Sequence, residues 1–289
     1  YTESDISGPF YIFFTIFFAM LIGDAGYGLV MLAGILLARR KAAKPPAGVF
    51  TLFTVFAVAT IAWGVLSACY FGIKPELLPG PLNHGAARWL AEQNNIMLVC
   101  FALGAAHMSL GHAWNALCLF PDSRFVAQVG WCGVVATMFC ATSAVVGIFA
   151  FPKFMMPVAA ASVLLIILFM LKRSELKTRG VELGMLPLNI ISTLGDVISY
   201  VRLFAVATAS VQLAGMFNKM AVDLALPLPV KIPAMALILL LGHGMNLAMG
   251  ALSILVHGVR LNTLEFSNHK GITWSGFAYK PFRRRVPAS

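Results

Sequence analysis

Residues 191–215 read ISTLGDVISYVRLFAVATASVQLAG, an apolar run with the guanidinium of Arg202 in its middle. The run carries too little charge for a surface helix of a soluble protein, which places it in a membrane. Arginine keeps its proton inside proteins, and holding it at the centre of a membrane helix costs about 2.5–3.5 kcal/mol on insertion scales. A cation kept at that cost faces a cavity or a partner. At 100° per residue, Ser199, Ala205, Val206 and Ala209 fall within about 60° of the Arg202 direction. Small residues let another surface approach closely. Ordinary helix packing explains the alanines but not the cation among them. Asp196 and Gln212 lie on either side of Arg202, rotated about 80–120° from it. Asp196 reads equally as a helix-end residue and as a proton carrier.

Composition supports the membrane reading. Of 289 residues, 60% are hydrophobic and 11% charged, and mean hydropathy is +0.85; soluble domains average about 25% charged residues. The net charge of +10 is concentrated in short segments: Arg39, Arg40, Lys41 and Lys44, then Lys172, Arg173, Lys177 and Arg179, then Arg283 to Arg285. Such clusters are orientation signals rather than a nucleic-acid footprint. The five cysteines form no CxxC pair and read as small buried hydrophobes. The start at Tyr1, with no signal peptide before the first apolar run, predicts a fragment of a longer chain.

Apolar runs at about 9–22, 26–38, 48–72, 96–120, 126–150, 154–171, 185–220 and 232–264 predict an all-α polytopic bundle of about eight transmembrane elements. The first two form a short hairpin broken at Gly23-Asp24-Ala25-Gly26-Tyr27-Gly28, with Asp24 as a turn or cap residue. The last two exceed a perpendicular span, predicting a tilted pair. Residues 73–95, with prolines followed by an amphipathic stretch from Ala86 to Gln93, read as an external loop with a surface helix. Placing the basic loops in the cytoplasm puts both termini there for eight elements, while seven would put the N-terminus outside. Two regions result: a scaffold over 1–182, and over 183–289 the tilted pair with a basic tail.

On the last helix, Asn246, Gly250, Ser253, His257 and Arg260 share a stripe about 120° wide, with His243 close by. Such a stripe lines a hydrated path or bonds helices together. Glu265 lies one to two turns beyond Arg260, as an ion-pair partner or a proton entry site. His257 has the chemistry of a relay. His107 and His112, five apart, do not align for a metal, and no metal site or cofactor is assigned. No P-loop, GxSxG or HExxH occurs, so the chain itself is read as neither binding ATP nor hydrolysing a substrate.

Four stretches carry a resemblance to a known family: PFYIFFTIFFAMLIGDAGYGLVM at 9–31, TIAWGVLSACYFG at 60–72, SYVRLFAVATASVQLAG at 199–215 and LVHGVRLNTLEFSNHKGITWSGFAYKPF at 255–282. In order and spacing the chain resembles the C-terminal membrane half of subunit a (subunit I in bacteria and archaea) of V-type/A-type rotary ATPases. The resemblance implies a stator beside a ring of proteolipid (c/K) subunits, supplying two offset half-channels for H⁺ or Na⁺. Further expected partners are the lipid bilayer and, through the absent N-terminal half, the peripheral stalk, with no nucleic acid. The implied location is a bacterial or archaeal plasma membrane. The family's essential arginine matches Arg202, its second arginine Arg260, the following glutamate Glu265, and the histidine of the last helix His257. Eukaryotic relatives carry a histidine at the position of Ser210 and a glutamate at that of Gly250. The external half-channel is therefore expected to use Ser253, Asn246, His243 and Gln212. The competing reading is a stand-alone secondary transporter or channel. Such folds show internal repeats with paired broken helices, which are not evident here.

Overall fold

In lipid, backbone groups must find their hydrogen bonds inside the protein, so long apolar runs fold as helices. The computed structural model of the chain describes residues 6–41, 47–73, 78–82, 85–170, 180–181 and 183–271. Among the described residues there is no β-strand, only an isolated bridge between Tyr70 and Ile73. The all-α expectation holds. The basic positions Lys44, Lys172, Arg173, Lys177, Arg179 and Arg283 to Arg285 lie outside the described residues.

The helices are α1 (Ser7–Ile22), α2 (Ala25–Lys41), α3 (Ala47–Leu66), the short α4 (Gly85–Ala91), α5 (Gln93–Leu119), α6 (Arg124–Val145) and α7 (Met155–Phe169). Next come α8 (Leu186–Ser199), α9 (Val201–Val222) and α10 (Leu228–Ser253). Two π-helical segments (Ile254–Gly258 and Leu261–Phe266) and the terminal turn α11 (Ser267–Lys270) continue α10. Each of the eight apolar runs therefore contains a helix, and those at 48–72 and 126–150 continue past α3 and α6 into turns. Among the described residues five helices are long and apolar enough to cross a membrane: α3, α5, α6, the α8–α9 unit Leu186–Val222 and the α10–α11 unit Leu228–Lys270. The bent pair α1–α2 makes a sixth if counted as one span, and α7 has only 15 residues. The two C-terminal units contain 37 and 43 residues. At 1.5 Å per residue, both exceed the roughly 30 Å hydrocarbon core.

The hairpin break is built as expected. Gly23 adopts φ +68° and returns its N–H to Ala19 O, and α1 and α2 bend by 116°. Asp24 then caps α2: its Oδ1 accepts the N–H groups of Gly26 and Tyr27 at 2.7 and 3.3 Å. Its Oδ2 accepts the Gly72 N–H at 3.1 Å and faces Cys69 Sγ at 3.3 Å. One carboxylate thus ties the bend to the loop after α3. The surface helix of the 73–95 segment runs from Gly85 to Ala91, shorter than the expected 86–93, because α5 already begins at Gln93.

Phe17 and Leu21 of α1, Phe101 and Met108 of α5, Tyr200, Leu203 of α9 and Leu261 share one buried core. The N-terminal hairpin is therefore packed into the C-terminal helix pair. A second cluster joins Trp131 and Val134 of α6, Ile166 of α7 and Leu186 of α8. His107 is enclosed in the first core, stacked between Phe13 and Phe266 and hydrogen-bonded through Nδ1 to Tyr200 Oη at 2.8 Å. Of the cysteines, Cys69 and Cys100 are buried, but Cys118 is exposed. It sits at the end of α5 on an outward face, where a one-dimensional apolar run gives no sign of direction.

Candidate functional site

Arg202 sits in the first turn of α9, immediately after the break at Tyr200. The last carbonyls of a helix have no partner within it, and here Ser199 O, at the end of α8, accepts a hydrogen bond from Arg202 Nε at 3.1 Å. Arg202 Nη2 reaches Glu265 Oε1 at 3.4 Å. The same oxygen accepts the Ser199 hydroxyl at 3.0 Å and faces Arg260 Nε at 3.7 Å. Glu265 is 4% exposed, Arg202 24% and Arg260 54%. One buried carboxylate oxygen thus gathers two guanidinium groups and a hydroxyl, and part of Arg202 remains open to the outside. The second oxygen, Glu265 Oε2, is buried with no hydrogen-bond partner among the described residues.

The stripe expected on the last helix needs a correction past Ser253. It assumed α-helical rotation to Arg260, but Ile254–Gly258 and Leu261–Phe266 are π-helical. Each i→i+5 turn changes the angular register of all that follows. Arg260 accordingly turns outward while Glu265 turns inward. His257 falls in the first π segment, with Nδ1 buried and unpartnered among the described residues. Ser253 is half-buried at the end of α10.

Further along α9 and α10, in the direction of the α1–α2 break, lies a closed hydrogen-bonded chain. Ser210 Oγ donates to Asn246 Oδ1 at 3.1 Å, and Asn246 Nδ2 donates to Ser210 O at 3.0 Å and to Tyr27 Oη at 2.9 Å. The Tyr27 hydroxyl, which accepts from the amide, is left to donate to His243 Nδ1 at 2.7 Å. His243 Nε2 then donates to Asn218 Oδ1 at 3.0 Å, and Asn218 Nδ2 donates to Phe71 O at 2.7 Å. Asn246 and His243 both bond the Tyr27 hydroxyl. Gln212 is not in this chain. It lines a separate cleft of about 280 Å³ with Gly23, Ser67, Cys69 and Thr208, closed on one side by Leu90 of α4.

On the other side of Arg202, Asp196 Oδ2 lies 3.1 Å from His269 Nε2, and His269 Nδ1 lies 2.9 Å from His112 Nε2. His112 Nδ1 meets Gln128 Oε1 at 2.8 Å. These groups line a polar cavity of about 400 Å³ with Asn189 and Thr193. Arg202 and Glu265 therefore stand between two polar clusters displaced along the same helix pair.

Sequence reasoning missed Tyr27, Asn218, His112, Gln128 and His269. Tyr27 carried a signal, since it lies in the glycine-rich break. The two histidines carried none, being 157 residues apart.

No protein-family model matches the chain. Its sequence is 34% identical over 307 aligned positions to V-type ATP synthase subunit I of Borreliella burgdorferi, covering 98% of this chain and 50% of that protein. It is 35% identical over 306 positions to V-type ATP synthase subunit I 1 of Treponema pallidum, covering 99% and 48%. To A-type ATP synthase subunit I of Archaeoglobus fulgidus it is 25% identical over 339 positions, covering 98% and 50%. The chain spans about half the length of the curated relatives it matches.

Proposed function

We propose that this homologue of the C-terminal half of V-type/A-type ATP synthase subunit I is the membrane stator of a rotary ATPase. In this reading residues 183–289 form the ion path and residues 1–182 the scaffold that holds it. The observation that carries the reading is the pairing of Arg202 with Glu265 between two polar clusters, with one flank of Arg202 uncovered. Leu252, Leu255, Val256 and Leu264 on the last helical unit are exposed apolar residues of the kind a proteolipid ring would cover.

The mechanism follows from electrostatics. A ring carboxylate must be neutral while it faces lipid, because a bare charge there is costly. Beside Arg202 its ionised form is favoured, so it releases its ion into one half-channel. Once past the arginine it reloads from the other. The fixed cation also opposes leakage between the two. Asp196, Ser199, Glu265, His257 and Arg260 are assigned to the cytoplasmic side of this path, and Asn246, His243, Ser253 and Gln212 to the external side. The chain contributes no nucleotide site. It works with the other ATPase subunits, in the plasma membrane with both termini cytoplasmic.

The test is Arg202→Lys in the whole complex reconstituted into vesicles. Lysine lacks the planar fork and can deprotonate when buried. Assembly with the ring should persist while ATP-driven ion uptake is lost; normal coupled uptake would overturn the reading. Running the assay with and without sodium identifies the ion.

A further inference from the structure

The cluster at the mouth of the polar cavity is under-determined by one proton. The Gln128 amide oxygen only accepts, so His112 must donate to it through Nδ1. A neutral His112 then presents Nε2 as an acceptor, and His269 must donate through Nδ1. The other nitrogen of His269 faces the Asp196 carboxylate, an acceptor when ionised. This contact closes only with a further proton on the pair, as imidazolium with carboxylate or as imidazole with carboxylic acid. Turning the Gln128 amide around reverses the chain. The amide NH₂ then donates to His112 Nδ1, His112 Nε2 donates to His269 Nδ1, and His269 Nε2 donates to ionised Asp196. The same atoms therefore close with or without the additional proton, and the two states differ by an amide rotation and a change of tautomer.

We propose that Asp196, His269, His112 and Gln128 form a proton-storing relay that loads and unloads one proton beside Arg202. Three observations support it: the unbroken contacts of 2.8, 2.9 and 3.1 Å, the polar cavity against them, and the position of the cluster relative to Glu265. Asp196 precedes Ser199 by three residues, and Ser199 donates to Glu265, so the relay lies one helical turn from the arginine pair. Each transfer balances. Loading takes a proton from the cavity onto His112 Nδ1 as the Gln128 amide rotates, the Nε2 proton of His112 passes to His269 Nδ1, and the resulting imidazolium pairs with ionised Asp196; unloading reverses the same transfers.

The neighbouring elements place other groups around the cluster. Lys270 of α11 donates to Asn115 Oδ1 at 2.7 Å, and Asn115, which lines the same cavity, donates through Nδ2 to His269 O. Trp131 of α6 stacks on His112, and Arg202 and Glu265 lie beyond Ser199.

The inference rests on the ion-path reading above and names the ion handled here as a proton. Its test uses the whole complex in vesicles, with ATP-driven proton uptake followed against pH. His269→Gln and His112→Gln should retain the ring, slow uptake at least about tenfold and lose the wild-type pH profile. Nitrogen-15 histidine spectra of the unmutated complex should show His269 gaining a second ring proton on acidification while His112 stays neutral and changes tautomer. Loss of uptake in Arg202→Lys together with wild-type profiles in both histidine variants would overturn the relay and leave the stator reading standing. A His269 signal that keeps one neutral form at every pH at which the complex pumps would also overturn the relay, whether or not the variants assemble. Normal uptake in Arg202→Lys would instead overturn the stator reading, and the spectra would still decide whether the cluster stores a proton.

Discussion

Arg202 and Glu265 face each other across the seam between α9 and the π-helical end of α10, with Nη2 3.4 Å from Oε1. The carboxylate is almost wholly buried while the guanidinium keeps an open flank, so Glu265 holds the cation in place without enclosing it. A carboxylate arriving from outside could then compete for Arg202. Glu265→Gln keeps an amide oxygen to accept from Arg202 but removes the negative charge that pairs with it. Breaking a buried pair costs about 3–5 kcal/mol, and the partial exposure of Arg202 makes the lower figure a ceiling here. The expected result is a lower unfolding midpoint for the complex and a loss of ATP-driven uptake with the ring retained. Unchanged uptake would show that the pair has no part in transport.

Tyr27 joins α2 to α10 through one hydroxyl that accepts from Asn246 and donates to His243. Tyr27→Phe should cost about 1–3 kcal/mol, because His243 Nδ1 loses its donor while buried Asn246 loses one of its two acceptors. Combined with His243→Ala, it should depart from additivity by at least about 0.5 kcal/mol. Thermal unfolding of the single and double variants in detergent checks this. Simple addition would mean the chain is not one unit.

Asp24 caps α2 through two contacts and ties the bend to the loop after α3 through two more. In Asp24→Asn the amide NH₂ would confront either the α2 amides or the Gly72 N–H. A loss of about 1–3 kcal/mol is expected for each stranded donor. Cys69→Ala removes only a weak thiol donor and should cost clearly less. Equal losses in the two variants would argue that packing, not the carboxylate, holds the loop.

Gly64 lies where α3 crosses the start of α2, and a Cβ there would overlap the Ala25 backbone. Gly64→Ala should force the helices apart and reduce the yield of folded protein. Gly34→Ala, in α2 with open space around it, is the matched control and should express normally. Similar expression of both would contradict the close approach seen at the bend.

Much of the architecture was readable along the chain. The glycine-rich break at Gly23–Asp24, the two overlong C-terminal runs and the cation among small residues at Arg202 all have local signatures. The site was legible only in outline. Glu265 could be suspected as a partner of Arg260, yet its contact with Arg202 depends on backbone winding that no residue pattern announced. Gln212 was grouped with Asn246 for the external half-channel on the departures at Ser210 and Gly250, but it lines a different cleft.

Composition and hydrophobic period suffice to commit this chain to helices at membrane depth, because an apolar run in lipid has no other way to satisfy its backbone. They also suffice to mark Arg202, since an ionised group there is costly wherever its partner lies. Which side chains meet it is a matter of three-dimensional packing. The π turns reset the angular register after Ser253, and His112 and His269 come together from distant elements. Such contacts arise when whole helices dock, and residue spacing along one helix carries no information about the rotation of its neighbour.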